Sequence, residues 1–120
     1  MANVLSPKFY KFITNALAFF SSEREIKQIL ALMIQLGLGY IKLGQPSNTL
    51  SGGEAQRIKL TKHFAKKSTN TLLFLEEPSI GLHHHNVKQL LQALHHLKKQ
   101  TAGIICIENH RLFQADCDVL

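Results

Sequence analysis

Residues 49–60, TLSGGEAQRIKL, place a serine, two adjacent glycines and a glutamate directly before a charged, helix-forming stretch. A helix N-terminus offers unpaired backbone N–H groups and the positive end of the helix dipole, and glycine lets a phosphate approach the backbone closely. Ser51, Gly52, Gly53 and Glu54 are therefore candidate phosphate-binding residues. The same residues also fit a plain S-x-x-E capping box after a glycine turn, and taken alone the motif favours that structural interpretation.

An acidic pair, Glu76 and Glu77, follows the apolar run TLLFL at residues 71–75. A short, continuous apolar run of this kind is typical of a buried parallel strand, and ligands bind beyond the carboxyl ends of such strands. One carboxylate can hold the water shell of a Mg²⁺ ion and the other can polarise an attacking water. The alternative is a solvated loop, but Pro78 and the upstream glycine motif favour a functional pair.

The chain has seven histidines, which raises the question of a metal site. His83, His84 and His85 are consecutive, so they cannot all face one metal ion from a helix. His85 does not form the i, i+4 pair of a helical zinc site with His95 or His96. We therefore predict no metal site.

A second apolar run, IICI at residues 104–107, is followed by Glu108, Asn109 and His110. Read as a strand parallel to the first, this run brings those three residues to the same sheet edge as the acidic pair. His110 is therefore the histidine best placed for chemistry.

Helices precede these segments. Ser6-Pro7 predicts the start of a first helix, and Ser22 with Glu25 predicts a capping box that starts a second. A third helix is expected after Ser51. The predicted apolar face of the first helix comprises Phe9, Phe12, Ile13, Leu17 and Phe20.

The second half of the sequence is typical of an α/β unit. A helix over about residues 85–100 lies between the two predicted strands, which indicates a strand–helix–strand crossover in a parallel sheet. We expect a helical region at residues 1–50 and the α/β part at residues 51–120, within a single truncated domain. The final residues, DCDVL, could begin a third strand.

The composition of the chain limits which partners and which cellular compartment we expect. The net charge of +6 favours a polyanion such as DNA or nucleotide phosphate, although a solvated basic surface fits the charge equally well. Two widely spaced cysteines fit a reducing compartment. No secretory signal is visible and the apolar runs are far shorter than a membrane span, so we expect a cytoplasmic protein that does not enter a membrane.

The order of the three segments resembles an ABC-type ATPase, with a signature loop, a Walker B strand and a switch-histidine loop. Residues 36–60, LGLGYIKLGQPSNTLSGGEAQRIKL, are similar to the signature region of the second ATPase module in the UvrA family. LEEPSIGLHHH at 75–85 resembles that family's L-D-E-P-T-T-G-L-H-x-H, and IENH at 107–110 resembles its I-E-H-N. The resemblance covers residues 36–120 strongly and the first 35 loosely, and it implies a partial ABC-type ATPase domain: helices with the signature helix, then a small parallel sheet.

This resemblance implies roles for particular residues. The loop from Ser51 to Glu54 would contact the γ-phosphate of an ATP bound by an opposing module. Glu77 matches the catalytic glutamate, Glu76 the Mg²⁺-associated position, and Asn109 and His110 the switch position. The cofactors implied are ATP and Mg²⁺, supplied with a phosphate loop by a UvrA-type or other ABC module. The process implied is nucleotide excision repair, with DNA reached through the partner.

Three departures from the family pattern stand out. Glu76 replaces the Walker B aspartate. Its extra methylene moves the carboxylate by about 1.5 Å, the length of a C–C bond. A misplacement of that order can lower the reaction rate roughly a hundredfold. The switch histidine is Asn109, with His110 one place later. No G-x-x-x-x-G-K-[ST] phosphate loop occurs, so we expect the final part of a longer protein, inactive alone.

Three interpretations therefore compete: an ATPase fragment that works with a chain carrying the phosphate loop, a non-catalytic paralogue that binds an ABC-type partner, and a remnant without a role. The intact signature loop favours the first two. The altered Walker B and switch positions favour the second over the first. Without a phosphate-loop strand beside it, the edge of residues 104–107 lacks a neighbour, so we also predict association with itself or a partner, unless the first 35 residues cover that edge.

Overall fold

The computed structural model describes residues 12–65 and 68–119. Within them the chain forms helices and two strands in the order α1 (Ile13–Phe19), α2 (Arg24–Gln35), a 3₁₀ turn (Ser47–Thr49), α3 (Gly52–Ala65), β1 (Ser68–Glu76), α4 (His84–Lys98), β2 (Thr101–Ile107) and α5 (Arg111–Asp116).

The sequence predicts the starts of the two N-terminal helices at Ser6-Pro7 and at Ser22. The Ser6-Pro7 start lies outside the described residues, and in the described part α1 begins after Phe12. The capping box of Ser22 and Glu25 is wrong, because α2 begins at Arg24 and no side chain caps it. A turn closed by the N–H of Glu23 on the carbonyl of Phe20 places Ser22 ahead of the helix instead.

A single apolar core joins the helices. The helix α2 packs against α1, α3 and α4. The core residues include Leu30 from α2, Leu36 and Leu38 from the following turn, and Leu90 and Leu97 from α4, all less than 5% exposed. Full burial stabilises a side chain of this size by about 1.5–3 kcal/mol, so this core holds the helical part on the α/β part.

The strands β1 and β2 pair in parallel with α4 between them in sequence, as the sequence predicts. The expectation that both strands are buried is wrong for this structure. Leu73 and Leu75 lie in the core, whereas Leu72 and Phe74 on the opposite face are 48% and 70% exposed. Successive strand residues point to opposite faces, and the described helices cover only one face of the sheet.

The segment after β2 is helical. Residues Arg111–Asp116 form α5, a helix that was not expected from the sequence. The Phe113 side chain of this helix is buried in the core. The third strand predicted for DCDVL is wrong within the described residues: Asp116 ends α5 and Cys117 to Val119 are not in a strand. A hydrogen bond between His95 and Asp116 and an ion pair between Lys98 and Asp118 hold this segment against α4.

Candidate functional site

The predicted capping box at the start of α3 is formed. The Ser51 Oγ accepts a hydrogen bond from the Glu54 N–H at 3.2 Å, and the Glu54 Oε2 accepts one from the Ser51 N–H at 3.0 Å. The Tyr40 hydroxyl donates to the Glu54 Oε1 at 2.5 Å. These bonds, that of Tyr40 first, lower the pKa of Glu54, so its carboxylate stays ionised at the helix N-terminus. We call residues 51–54 the signature turn.

The two glycines of the signature turn have different surroundings. Gly52 is exposed, and a Cβ there would meet no atom within 4 Å. Gly53 is buried, and a Cβ there would lie 2.6 Å from the Ile80 Cγ2 and 3.0 Å from the Arg57 Nη1. Gly52 therefore leaves the helix N-terminus open to a ligand, whereas Gly53 is required for packing inside the protein. The sequence by itself predicts the same role for both glycines.

Two side chains of α3 attach the signature turn to the end of β1. The Gln56 Nε2 donates to the Glu76 carbonyl at 3.1 Å. The Arg57 Nη1 donates to the carbonyls of Pro78 and Ile80 at 3.1 and 3.2 Å. Sequence reasoning missed both residues; the available signal was their helical spacing from Gly53, which puts all three on one face of α3.

The acidic pair lies at the carboxyl end of β1, where the sequence predicts it. Glu76 ends the strand opposite Ile107, and both glutamate side chains are exposed. Glu77 leaves the strand with a φ of 44°, and its N–H donates to the Ile107 carbonyl at 2.7 Å. A positive φ is uncommon for residues other than glycine, so the surrounding bonds hold this backbone in place. We call residues 77–80 the post-strand turn.

Glu108 connects the two loops at this sheet edge. Its Oε2 accepts from the Ser79 N–H at 3.0 Å, and its Oε1 accepts from the N–H groups of Asn109 and His110 at 3.0 and 3.2 Å. Burial by itself raises the pKa of this carboxyl, but the bonds from Ser79, His110 and Asn109 outweigh it and leave the pKa lowered. The sequence analysis treated Glu108 only as a neighbour of His110.

The imidazole of His110 caps α5. Its Nδ1 accepts from the Leu112 N–H at 3.2 Å, which in the neutral ring places the proton on Nε2. Its ring centroid lies 6.0 Å from that of His84. Asn109 is exposed beside it. Across residues 12–65 and 68–119, no group of three or more His, Cys, Asp or Glu residues could hold a metal ion.

The structure thus brings the three predicted segments to one region. The signature turn reaches the end of β1 through Gln56 and Arg57, and Ser79 in the post-strand turn reaches Glu108 after β2. An open helix N-terminus therefore lies on the same small α/β unit as two exposed carboxylates.

None of the helices among residues 12–65 and 68–119 has the length and apolar character that a membrane span requires.

The fold and this site define a small α/β unit with a glycine-containing signature turn docked on the end of a parallel strand. The chain is similar to UvrABC system protein A from several bacteria. It is 49% identical to the protein of Mycoplasmopsis pulmonis over 90% of this chain and 12% of the relative. It is 48% identical to that of Thermus thermophilus over 82% of this chain and 10% of the relative.

A solved structure gives the same result. The crystal structure of UvrA2 from Deinococcus radiodurans matches with a TM-score of 0.75 at 36% identity, over 85% of this chain and 13% of that chain. No protein-family model matches the chain. The resemblance to UvrA that the motifs predict is thereby confirmed. The chain spans about a tenth of the length of the curated relatives it matches, 10–12%.

Proposed function

We propose that the chain is the signature-side part of a UvrA-type ABC ATPase module that acts in nucleotide excision repair. In this proposal the signature turn binds the γ-phosphate of an ATP held by an opposing module. The similarity to UvrABC system protein A supports the process, and the geometry of the signature turn supports the role in nucleotide binding.

The observation that carries the proposal is the unused donors at the start of α3. The Glu54 N–H already bonds the Ser51 Oγ. Within the described ranges, no group accepts from the N–H of Gly52 or Gly53, the first two residues of the helix. Because Gly52 has no side chain and no near neighbours, an anion can reach these donors and the positive end of the helix dipole.

The acidic pair fits a Mg²⁺ ion bound with ATP. Both carboxylates are exposed at the strand end, and carboxylate oxygen with water is the ligand set that Mg²⁺ prefers. Glu76 would hold the water shell of the ion, which neutralises phosphate charge when bound. Glu77 would orient and polarise the attacking water, and Asn109 with His110 would face the γ-phosphate. The phosphate loop comes from outside these 120 residues.

A titration of the ¹⁵N-labelled chain with ATP–Mg²⁺ tests the proposal. We expect amide shifts centred on Gly52 and Gly53, because those N–H groups would bond the phosphate. Gly52→Pro removes one donor and fits the first turn of a helix, so it should weaken the response while the chain stays folded. Shifts centred on His83–His85, or none at the signature turn, would contradict it.

The second candidate is a non-catalytic paralogue that binds an ABC-type partner. Two substitutions favour it: Glu76 at the Walker B aspartate position and Asn109 at the switch histidine position. The exposed apolar sheet face, with Phe74 70% and Ile107 66% exposed, offers a surface for such a partner.

One combined variant separates the two candidates. Glu76→Asp with Asn109→His and His110→Asn restores the family pattern, and asparagine at position 110 still caps α5 because it is a preferred N-cap residue. If the wild-type chain stimulates ATP turnover by an intact UvrA-type protein, the ATPase proposal holds. If only the restored variant does so, the chain is the non-catalytic paralogue.

A further inference from the structure

We infer that Arg57 is a positioning residue that makes the signature turn and the post-strand turn one rigid body. A structural change caused by phosphate binding at the signature turn therefore reaches Glu77 in the post-strand turn. The inference rests on the proposed function for its ligand. It adds that two motifs assigned to different nucleotide contacts are joined inside this chain by one buried side chain.

Burial shows that Arg57 is part of the interior. It is 1% exposed and is one of the two buried polar or charged residues among those the structure describes. Burying a charge is costly unless the group is hydrogen-bonded. Within residues 12–65 and 68–119 no carboxylate lies within ion-pair distance of this guanidinium. Burial lowers the pKa of Arg57, and the nearby Tyr40 and Glu54 favour its charged form. The hydrogen bonds that fix its Nη1 are those to its two carbonyl partners.

Those partners belong to one turn. The Ile80 N–H closes the post-strand turn on the Glu77 carbonyl at 3.0 Å, and the Arg57 Nη1 then spans the carbonyls of Pro78 and Ile80. A single guanidinium nitrogen thus fixes the turn that begins with the positive-φ residue Glu77. Any rotation of the turn would break at least one of these bonds.

Two neighbouring contacts of α3 bring the signature turn close to the post-strand turn. The backbone of Gly53 packs so closely on Ile80 that a Cβ would lie 2.6 Å from its Cγ2. Gln56 bonds the Glu76 carbonyl one residue before the turn. Positions 53, 56 and 57 lie on one helical face, so these two contacts keep the turns adjacent while the Arg57 bonds fix the conformation of the post-strand turn.

Stability alone does not explain this arrangement. The Arg57 Nε is buried without a hydrogen-bond partner in the described part of the chain. An unsatisfied buried donor destabilises a protein, and well-packed apolar residues often replace buried charges without loss. A charged side chain with an unused buried donor fits a positioning role, because its Nη1 bonds two carbonyls of the post-strand turn at once.

The test follows amide shifts in the full-length ¹⁵N-labelled chain on addition of ATP–Mg²⁺. In the wild type we expect shifts at Gly52 and Gly53 together with Glu77 and Ile80. In Arg57→Met the shifts at the glycines should remain, while those at Glu77 and Ile80 should be lost. Lys59→Met is the matched control, since it removes the same charge from an exposed position of the same helix and should leave both sets unchanged.

A second arm needs no ligand. Ser51→Ala removes the cap bond to Glu54, and in the wild-type background the resulting shifts should extend to Glu77 and Ile80. In the Arg57→Met background they should stop within α3. If Arg57→Met does not fold, Arg57→Gln replaces it, because its shorter side chain carries one donor group and the expectation is the same.

The outcomes separate this inference from the proposed function. In one outcome, ATP–Mg²⁺ does not shift the amides of the glycines, but the amide shifts caused by Ser51→Ala reach Glu77 and Ile80 only when Arg57 is present. The proposed ligand is then wrong and the coupling stands. If shifts reach Glu77 and Ile80 equally with and without Arg57, or never reach them in the wild type, the inference is overturned.

Discussion

At the scale of single residues, the carboxylate of Glu108 links titration to structure. Three backbone N–H groups donate to it, and its pKa is lowered relative to its ordinary value. A carboxyl whose pKa is lower in the folded state stabilises the protein above its unfolded-state pKa, and this contribution is lost as the pH falls through the folded-state pKa.

We therefore predict a pH-dependent effect of Glu108→Gln. At neutral pH it should lower the free energy of unfolding by about 1–2 kcal/mol, since hydrogen bonds to a charged acceptor are lost. As the pH falls through the lowered folded-state pKa, the wild-type carboxyl is protonated as well and the difference should shrink. Urea unfolding at neutral pH and at a series of acidic pH values measures this, and an unchanged difference across the range would show that Glu108 does not titrate as proposed.

The two glycines of the signature turn give a second prediction. Gly53→Ala should destabilise the chain by about 1–3 kcal/mol, because the new methyl group meets Ile80 and Arg57 in a packed region. Gly52→Ala should keep or raise the stability by up to about 1 kcal/mol, because the space there is open and alanine favours helix.

Thermal unfolding of the two alanine variants checks the difference, and each serves as the control for the other. Gly52→Ala should in addition weaken the amide response to ATP–Mg²⁺, because its methyl group stands where the phosphate would approach. Equal stability of both variants would mean that Gly53 is not held against the post-strand turn.

At the scale of elements, one face of the two-stranded sheet exposes large apolar side chains to water. Leu72 and Phe74 of β1 and Ile105 and Ile107 of β2 are 44–70% exposed. Of the described helices in the first 35 residues, α1 packs on α2, and α2 also packs on α3 and α4. Both helices leave these sheet side chains open. Exposed apolar patches and unpaired strand edges mark interfaces.

We predict that the chain associates through this face. Sedimentation velocity should show species larger than the monomer that increase with concentration, or a stable complex with an ABC-type partner. Phe74→Ser should reduce that association, whereas Ile29→Ser, which removes a 52% exposed apolar side chain from α2, should not. A monodisperse monomer over a wide concentration range, with the amides of residues 104–107 protected from exchange, would exclude association and favour covering by the chain's own N-terminal residues.

At the scale of the whole molecule, the 120 residues include the signature turn and the strand-end carboxylates of the predicted site but no phosphate-loop motif. We predict that the purified chain does not hydrolyse ATP. Glu76 and Asn109 are additional defects, because each differs from the residue that the UvrA pattern has at that position. A phosphate-release assay measures turnover, with Glu77→Gln as the control. Steady turnover that Glu77→Gln abolishes would show this prediction to be wrong.

The sequence by itself determined the local features of the chain. Ser51 and Glu54 are three residues apart, so their reciprocal cap depends on one helical turn and forms as predicted. The strand–helix–strand order follows from apolar runs and helical periodicity within short windows, and the resemblance to UvrA rests on contiguous motifs. Ser22 and Glu25 have the same spacing but do not form a cap, because the turn before α2 sets a different helix start.

Only the tertiary structure decided the features that depend on distant partners. The Arg57 guanidinium bonds carbonyls 21 and 23 residues away, and Glu108 accepts from Ser79 across 29 residues. Helical spacing places Arg57 on the same face of α3 as Gly53, but the sequence does not show which distant groups Arg57 and Glu108 bond. Whether Gly53 serves a ligand or a packed neighbour, and whether Phe74 is buried or exposed, depends on which element lies opposite. Residue type and spacing predict what a side chain can do, but the packing of α3 on the end of β1 decides which groups it meets.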